Sequence, residues 1–416
     1  MIGHDTLTPK ERAYVEECDA FLAKHLDPEL VARMDRSEVL YPDGFIRELA
    51  EQHYLGAAVP AEEGGGGRSF LEEALLNERV GYHGSAAIAC ARTFTGHVGW
   101  ILHRYGTDAQ KEKYLRPMLR GEKITAQALT EPGAGSDMAG IQTTARRDGD
   151  RYIVNGEKRF LDGAHTANFI SCAVRTADGD DPRRILSVLL VDTDQPGYEI
   201  LQTHDDWLGF RGLGSAWVRF TDVEVPLENM LGEEHNGWQY LSEQLLLERV
   251  YATRAQLGQA HRALEIAATY AEERETFGKK LKDHQWASFK VAEAATRLDA
   301  ALLLNNRAAR MLDDGLWAEA KMEVAMAKKF GVEAAWQTVD DAMQIVGGIA
   351  YTKAYPIERI FRDVRASRFT AGSTEMMALI IQRRAFDKLR DPNFRKELVG
   401  HEVDGSPVAK QMPERG

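Results

Sequence analysis

The chain has 416 residues and a mass of 46.5 kDa, which at about 150 residues per domain points to roughly two or three domains. Its 44% apolar and 28% charged residues are ordinary for a globular protein. With 52 Lys and Arg against 64 Asp and Glu the formal charge is −12, a poor balance for holding a polyanion, so no nucleic-acid partner is expected. Cys18, Cys90 and Cys172 lie far apart and are odd in number, which excludes a disulfide framework and a zinc knuckle. No apolar run reaches the about 18 residues of a membrane span. The N-terminal segment has neither a signal-peptide core nor the look of a transit peptide. The expectation is a cytoplasmic protein without a metal site.

Residues 1–125 read as a helical domain. Thr8, Pro9 and Glu11 form a helix-start signature, and Val15, Cys18, Phe21 and Leu22 repeat at helical spacing. Amphipathic stretches follow at 43–55, 69–81 and 108–120. The Gly64–Gly67 run lacks the Lys-Ser/Thr of a phosphate loop and reads as a surface turn.

From 126 to 236 the pattern becomes β. RYIVNGEKRF, FISCAVRT, ILSVLLVDT and AWVRFTDVEVP alternate or run apolar between turn clusters, as in a barrel or sandwich. From 237 to 390 long, Ala-rich, almost proline-free helical segments return, which predicts a closely packed bundle. A charged tail occupies 391–416. The fold class is therefore α+β and multi-domain.

Residues 128–140, ALTEPGAGSDMAG, suit a cofactor loop. Gly133 and Gly135 would adopt conformations closed to other residues and let main-chain N–H groups approach a ligand. This segment resembles the first signature of the acyl-CoA dehydrogenase family of flavoproteins. ERETFGKKLKDHQ at 272–285 and QIVGGIAYTKAYPIERIFRDVRASRFTAGSTEMM at 344–377 resemble its C-terminal motifs, in the same order. The resemblance extends along nearly the whole chain. It implies an N-terminal helical domain, a middle β-barrel and a C-terminal four-helix bundle. It also implies FAD as cofactor, an acyl-CoA or acyl-carrier-protein substrate, an electron-transfer flavoprotein as acceptor, and a homotetramer.

The same resemblance assigns residues. Leu129, Thr130, Gly135 and Ser136 would meet the flavin and its phosphates, Ser136 also bordering the substrate. Phe160 would pack on the ring. Asp162 stands where the family has a hydroxyl near flavin N5, so either its backbone N–H makes the contact or the redox chemistry is retuned. Arg274, Phe277 and Gln285, with Gln344, Gly347 and Gly348, would reach the FAD of a neighbouring subunit, and Ser373 and Glu375 belong to the same set. Ala350 and Ala354 depart from the family pattern on the adenine side.

The reaction so implied removes an α-proton from the thioester while the β-hydride passes to flavin N5, and it needs a carboxylate base. Many members carry that Glu in a segment matched here by FTAGST, where the position is Ala371. A minority, resembling isovaleryl-CoA and long-chain enzymes, carry it on an earlier helix, and Glu248 in LLLERV falls on that position. Glu248 is the expected base, with the Ala371 backbone N–H on the thioester oxygen and Arg249 beside the site. Glu243 faces elsewhere on the helix. The helix of SAAIACARTFTGHVGW should line the acyl pocket. Its Arg92 either holds a charged acyl tail or faces outward. Two rival functions remain open on this fold: a flavin monooxygenase or oxidase, and a non-catalytic subunit of a heteromeric dehydrogenase.

Overall fold

The computed structural model describes residues 3–204 and 206–389. The first unit is helical: α1 (Pro9–His25), α2 (Pro28–Asp35), α3 (Asp43–Glu51), α4 (Phe70–His83), α5 (Ala86–Tyr105) and α6 (108–119). The capping box of α1 forms as the sequence predicts: Glu11 N–H donates to Thr8 Oγ1, and Thr8 N–H donates to Glu11 Oε2. Helix α3 stops earlier than its pattern suggests, because His53 turns to φ +55° just past it. Helix α6 widens into a π turn at Lys111–Leu115, directly before Pro117, whose missing N–H breaks the regular ladder. The glycine turn at 64–67 lies at the surface at its two ends and is packed in its middle: a Cβ on Gly64 would meet nothing within 4 Å, whereas one on Gly65 would lie 2.2 Å from the Val59 carbonyl oxygen.

Among the described residues seven strands make the middle unit: β1 (Thr125–Ala128), β2 (Thr144–Asp148), β3 (Arg151–Leu161), β4 (Phe169–Arg175), β5 (Leu186–Asp192), β6 (Tyr198–Thr203) and β7 (Ala216–Pro226). They form one curled sheet in the order β1-β4-β2-β3-β7-β6, with β5 on the other side of β4. Strand β1 runs parallel to β4, while β3 and β7 form a long antiparallel pair. Val154, Leu161, Ile170, Cys172, Val191 and Phe220 fill its interior. The sequence pattern missed β1, β2 and β6. TAQA and TARRD carry no β-branched run, and pairing partners alone make them strands.

The last unit is the expected bundle: α7 (Gly237–Glu273), α8 (Gln285–Asp313), α9 (Ala320–Val346) and α11 (Thr374–Leu389), with α10 (Ile357–Ala366) before the fourth helix. Ala260, Ala263, Ala267, Ala294, Ala301 and Ala335 bring α7, α8 and α9 close together in its core. Helix α7 also crosses α4 at near backbone contact. A Cβ on Gly81 would meet the Ala255 carbonyl oxygen at 2.2 Å, and one on Gly258 would meet that of Glu78 at 2.1 Å. The buried Glu78–Arg254 pair, 2.5 Å apart, locks that crossing. The expected tail, 391–416, lies outside the described residues.

Candidate active site

The three units meet around a cavity of about 830 Å³. Its first wall is the loop after β1. Glu131 is buried inside that loop, where it accepts hydrogen bonds from Lys158 Nζ (2.8 Å) and from the N–H groups of Gln142 (2.6 Å) and Thr143 (2.9 Å). Burial raises its proton affinity, but Lys158 and the N–H donors outweigh that and hold the carboxyl below its usual range. Lys158 also donates to the Leu129 carbonyl at 3.1 Å, so the loop is clamped from beneath. Leu129, Thr130, Gly135 and Ser136 line the cavity. The reason given for the glycines needs correction. Neither Gly133 nor Gly135 has a positive φ; what they provide is open space, with nothing within 4 Å of a built Cβ.

The second wall is the end of β3. The β3–β7 register shifts between Lys158 and Leu161, and within that bulge Phe160 takes φ +60°. The bulge leaves the ring 48% exposed on the cavity wall, with His204 at 5.5 Å between centroids and the Arg159 guanidinium 4.8 Å from the ring. Two residues on, Asp162 also lines the cavity. Its two oxygens are engaged by Ser215 Oγ and, at 3.8 Å, by Cys90 Sγ. Burial pushes its carboxyl up to about 6, against the pull of those two donors.

Helix α7 supplies Glu248 and Arg249 to the opposite wall. Burial pushes the Glu248 carboxyl up to about 7; Arg249 opposes the shift, the charge of Asp162 adds to it, and Lys328 opposes it. Facing Glu248 is the turn at 367–372. Ala371 sits there at φ +52° and Gly372 at φ +89°. Two cations hold this strained turn. Arg249 Nε donates to the Ala371 carbonyl at 3.0 Å, and Lys328 Nζ donates to those of Ser367 (2.9 Å) and Gly372 (2.7 Å). Burial and the nearby Arg249 charge push Lys328 down to about 8. Glu243 is turned away, bonded to Tyr105 Oη at 2.7 Å and paired with Arg104.

Arg92 corrects the sequence reading on both counts. It neither lines the cavity nor faces solvent; it is fully buried, 2.7 Å from buried Glu73, and donates to Asn77 Oδ1 and the Tyr54 carbonyl. Helix α5 is buried on nearly every face, so a cation there must find its partners inside the protein.

The remaining expected cofactor residues are not brought to this cavity. Arg274, Phe277, Gln285, Gln344 and Gly348 are exposed, Phe277 to 98%, with half-buried Gly347 beside them. They gather at one end of the bundle, where α7 ends, α8 begins and α9 ends; the Lys290–Asp341 pair at 2.6 Å ties α8 to α9 there. Ser373 and exposed Glu375 follow the strained turn, outside the cavity wall. Conversely, sequence reasoning missed Gln127, Trp207, Arg365 and Arg383 on the wall. Arg365 lies inside the 344–377 motif without having been singled out, and no local pattern marked Gln127, Trp207 or Arg383, which come from separate segments.

Comparison with known proteins agrees with this architecture. The model of the acyl-CoA dehydrogenase N-terminal domain matches residues 8–122, that of the middle domain 126–223, and that of the C-terminal domain 235–386. The chain belongs to the acyl-CoA dehydrogenase family of FAD-dependent flavoprotein oxidoreductases. It is 36% identical to a 3-(aryl)acrylate reductase of Clostridium sporogenes, over 82% of this chain and 89% of that one. It is 33% identical to the mitochondrial isobutyryl-CoA dehydrogenase of Dictyostelium discoideum, over 91% and 89%. A crystal structure of a probable acyl-CoA dehydrogenase from Mycobacterium abscessus superposes with a TM-score of 0.85 at 34% identity, covering 91% of this chain and 99% of that one. No helix among the described residues is long and apolar enough to cross a membrane.

Proposed function

We propose that the protein introduces an α,β double bond into an acyl thioester, with Glu248 as the base that removes the α-proton. One observation carries this reading: Glu248 and Ala371 face one cavity, so the chain that lacks a carboxylate at 371 offers one across the same space. A carboxyl near 7 is partly ionised at neutral pH and basic enough to accept a proton from carbon. The turn clamped by Arg249 and Lys328 is rigid, which suits the Ala371 N–H to stabilise charge on the thioester oxygen.

The wall residues fit FAD. Phe160 offers a half-exposed ring, the main chain at Gly133 and Gly135 has open space around it, and Arg365 and Arg383 bring positive charge. Leu129, Thr130, Gly135, Ser136, Phe160 and Asp162 would hold the cofactor within one chain. FAD, when bound, supplies the acceptor for the hydride from Cβ. In a homotetramer, Arg274, Phe277, Gln285, Gln344, Gly347, Gly348, Ser373 and Glu375 would serve a neighbouring chain's cofactor. The thioester handle is CoA or a carrier-protein pantetheine, and an electron-transfer flavoprotein takes the electrons onward.

Anaerobic addition of acyl-CoAs of graded length to the FAD-loaded protein tests this reading. Bleaching of the flavin by at least one of them is expected, with turnover when an artificial acceptor is added. No bleaching by any thioester would overturn it, and rapid reoxidation of the reduced protein by oxygen would mark an oxidase instead.

A further inference from the structure

Beyond Glu248 the main cavity continues into a smaller chamber of about 50 Å³. Phe94, Asp162, Phe210, Glu248 and Ala371 border both spaces, so the chamber opens where the thioester carbons would react. Its walls come from α5, α7, α9 and the 367–372 turn, and three of its side chains carry a buried polar atom with no partner among the described residues. These are His97 Nε2, Thr253 Oγ1 and Gln256 Oε1, on residues 0%, 1% and 2% exposed. Thr253 and Gln256 are three residues apart and share a face of α7. Buried polar atoms are nearly always partnered, so three around one small space call for ordered water or a ligand that completes them.

Their chemistry can be assigned. Gln244 Nε2 lies 3.0 Å from His97 Nδ1, and an amide nitrogen only donates. His97 Nδ1 therefore accepts, and Nε2 carries the proton into the chamber. Burial pushes this imidazole down to about 3, so it stays neutral. The chamber thus presents a donor at His97, an acceptor at Gln256, and a hydroxyl at Thr253 that does either. Among the described residues no free cation waits there for an anionic tail, and the carboxyls at its mouth, Asp162 and Glu248, belong to the reacting site. Arg92 is spent on Glu73, and Arg249 at the chamber's mouth and Lys328 in its wall donate to carbonyls of the 367–372 turn.

We infer that this chamber receives the far end of the acyl chain and selects a neutral hydrogen-bonding terminus, a hydroxyl or carboxamide, over a methyl group of similar size. The inference rests on the acyl-thioester reading above and names its substrate class. A site built to hydrogen-bond a tail discriminates strongly against an analogue that leaves its buried groups unmatched. A tail that ends short of the chamber is indifferent to the change.

The test uses the FAD-loaded protein and matched straight-chain acyl-CoAs, each paired with analogues in which the terminal methyl is replaced by hydroxyl or carboxamide. The rate of anaerobic flavin bleaching is one readout. Spectral titration with the corresponding 2-enoyl-CoAs gives affinity without turnover. At the chain length that reaches the chamber, the polar-ended member should be favoured by about 10–100-fold in both. Thr253→Val and Gln256→Met should each cut that preference, and the nearly isosteric Thr253→Val decides the matter if the other variant does not fold. Bleaching by methyl-ended thioesters with no polar preference at any length would overturn this inference and leave the dehydrogenase reading standing. A preference that survives both substitutions would also overturn it, because selection would then lie elsewhere. Failure of every thioester in both series to bleach the flavin would instead remove the dehydrogenase reading, and this inference with it.

Discussion

Asp162 and Glu248 approach one cavity from different units of the fold, and the charge on Asp162 raises the proton affinity of Glu248. Burial pushes the two carboxyls up to about 6 and about 7, so they lose their protons over neighbouring pH ranges. A general base works only when deprotonated. Because its folded-state value is raised, Glu248 is inactive at mildly acid pH and gains activity as pH rises through about 7. The expected kcat/KM profile therefore falls about tenfold per pH unit on its acid side. Asp162→Asn keeps the size of the side chain and removes the charge, so the acid limb should move to lower pH. A limb that stays in place would mean the Asp162 charge does not reach the base.

The buried Arg92–Glu73 pair makes a prediction of a different kind. Both side chains are fully buried, so Arg92→Leu strands the Glu73 carboxylate away from water. Breaking such a pair on one side typically costs about 3–5 kcal/mol. Urea unfolding should show a loss of that order. The relative rates with charged and neutral acyl tails should not change, because Arg92 lies outside both cavity walls. A variant of wild-type stability that loses activity only toward acidic tails would restore Arg92 as a substrate residue.

What could be read from sequence was what lies close together along it. Thr130, Gly135, Ser136 and Phe160 each sit in a short motif, and all four border the cavity. The contacts that tune the site are between distant residues. Ser215 reaches Asp162 across 53 positions and Lys328 reaches Gly372 across 44, and nothing near either residue announces its partner. Arg92 was misjudged for a related reason. Helical periodicity separates one buried face from one wet face, whereas α5 is buried nearly all round, so periodicity says nothing about which neighbours a polar residue meets. The α5 sequence was expected to line the acyl pocket, yet Thr253 and Gln256 enter the chamber from α7, with atoms that have no partner among the described residues.

Arg274 separates a local role from one between subunits. It is exposed at the end of α7, so Arg274→Ala should change the stability of the chain by no more than about 0.5 kcal/mol. If the residue serves a neighbouring chain's pyrophosphate, the same variant should lose FAD more readily on dilution. Removing flavin should then loosen the oligomer through linkage. Spectral titration with FAD and sedimentation of the holo- and apo-proteins measure the two effects. Unchanged FAD affinity would place the C-terminal motif outside the cofactor site.

The base itself is tested by moving it. Glu248→Gln removes the basic oxygen at constant size, so FAD and acyl-CoA should still bind, and the spectral shift on adding a 2-enoyl-CoA should persist. Proton removal should slow by about 10²–10⁴-fold, the usual contribution of a general base. Ala371→Glu then returns a carboxylate from the other side of the cavity. The substitution is tolerable in backbone terms, because Ala371 already carries a Cβ at φ +52° and a longer side chain adds no new clash with its own main chain. It also leaves the Arg249 and Lys328 hydrogen bonds intact, since these go to carbonyl oxygens of the turn. In the Glu248→Gln background, Ala371→Glu should therefore recover part of the anaerobic bleaching rate, and its acid limb should report the new carboxyl. Bleaching of Glu248→Gln at the wild-type rate would mean that the α-proton leaves to another group. No recovery in the double variant, with substrate still bound, would mean that positions 248 and 371 do not face the same carbon.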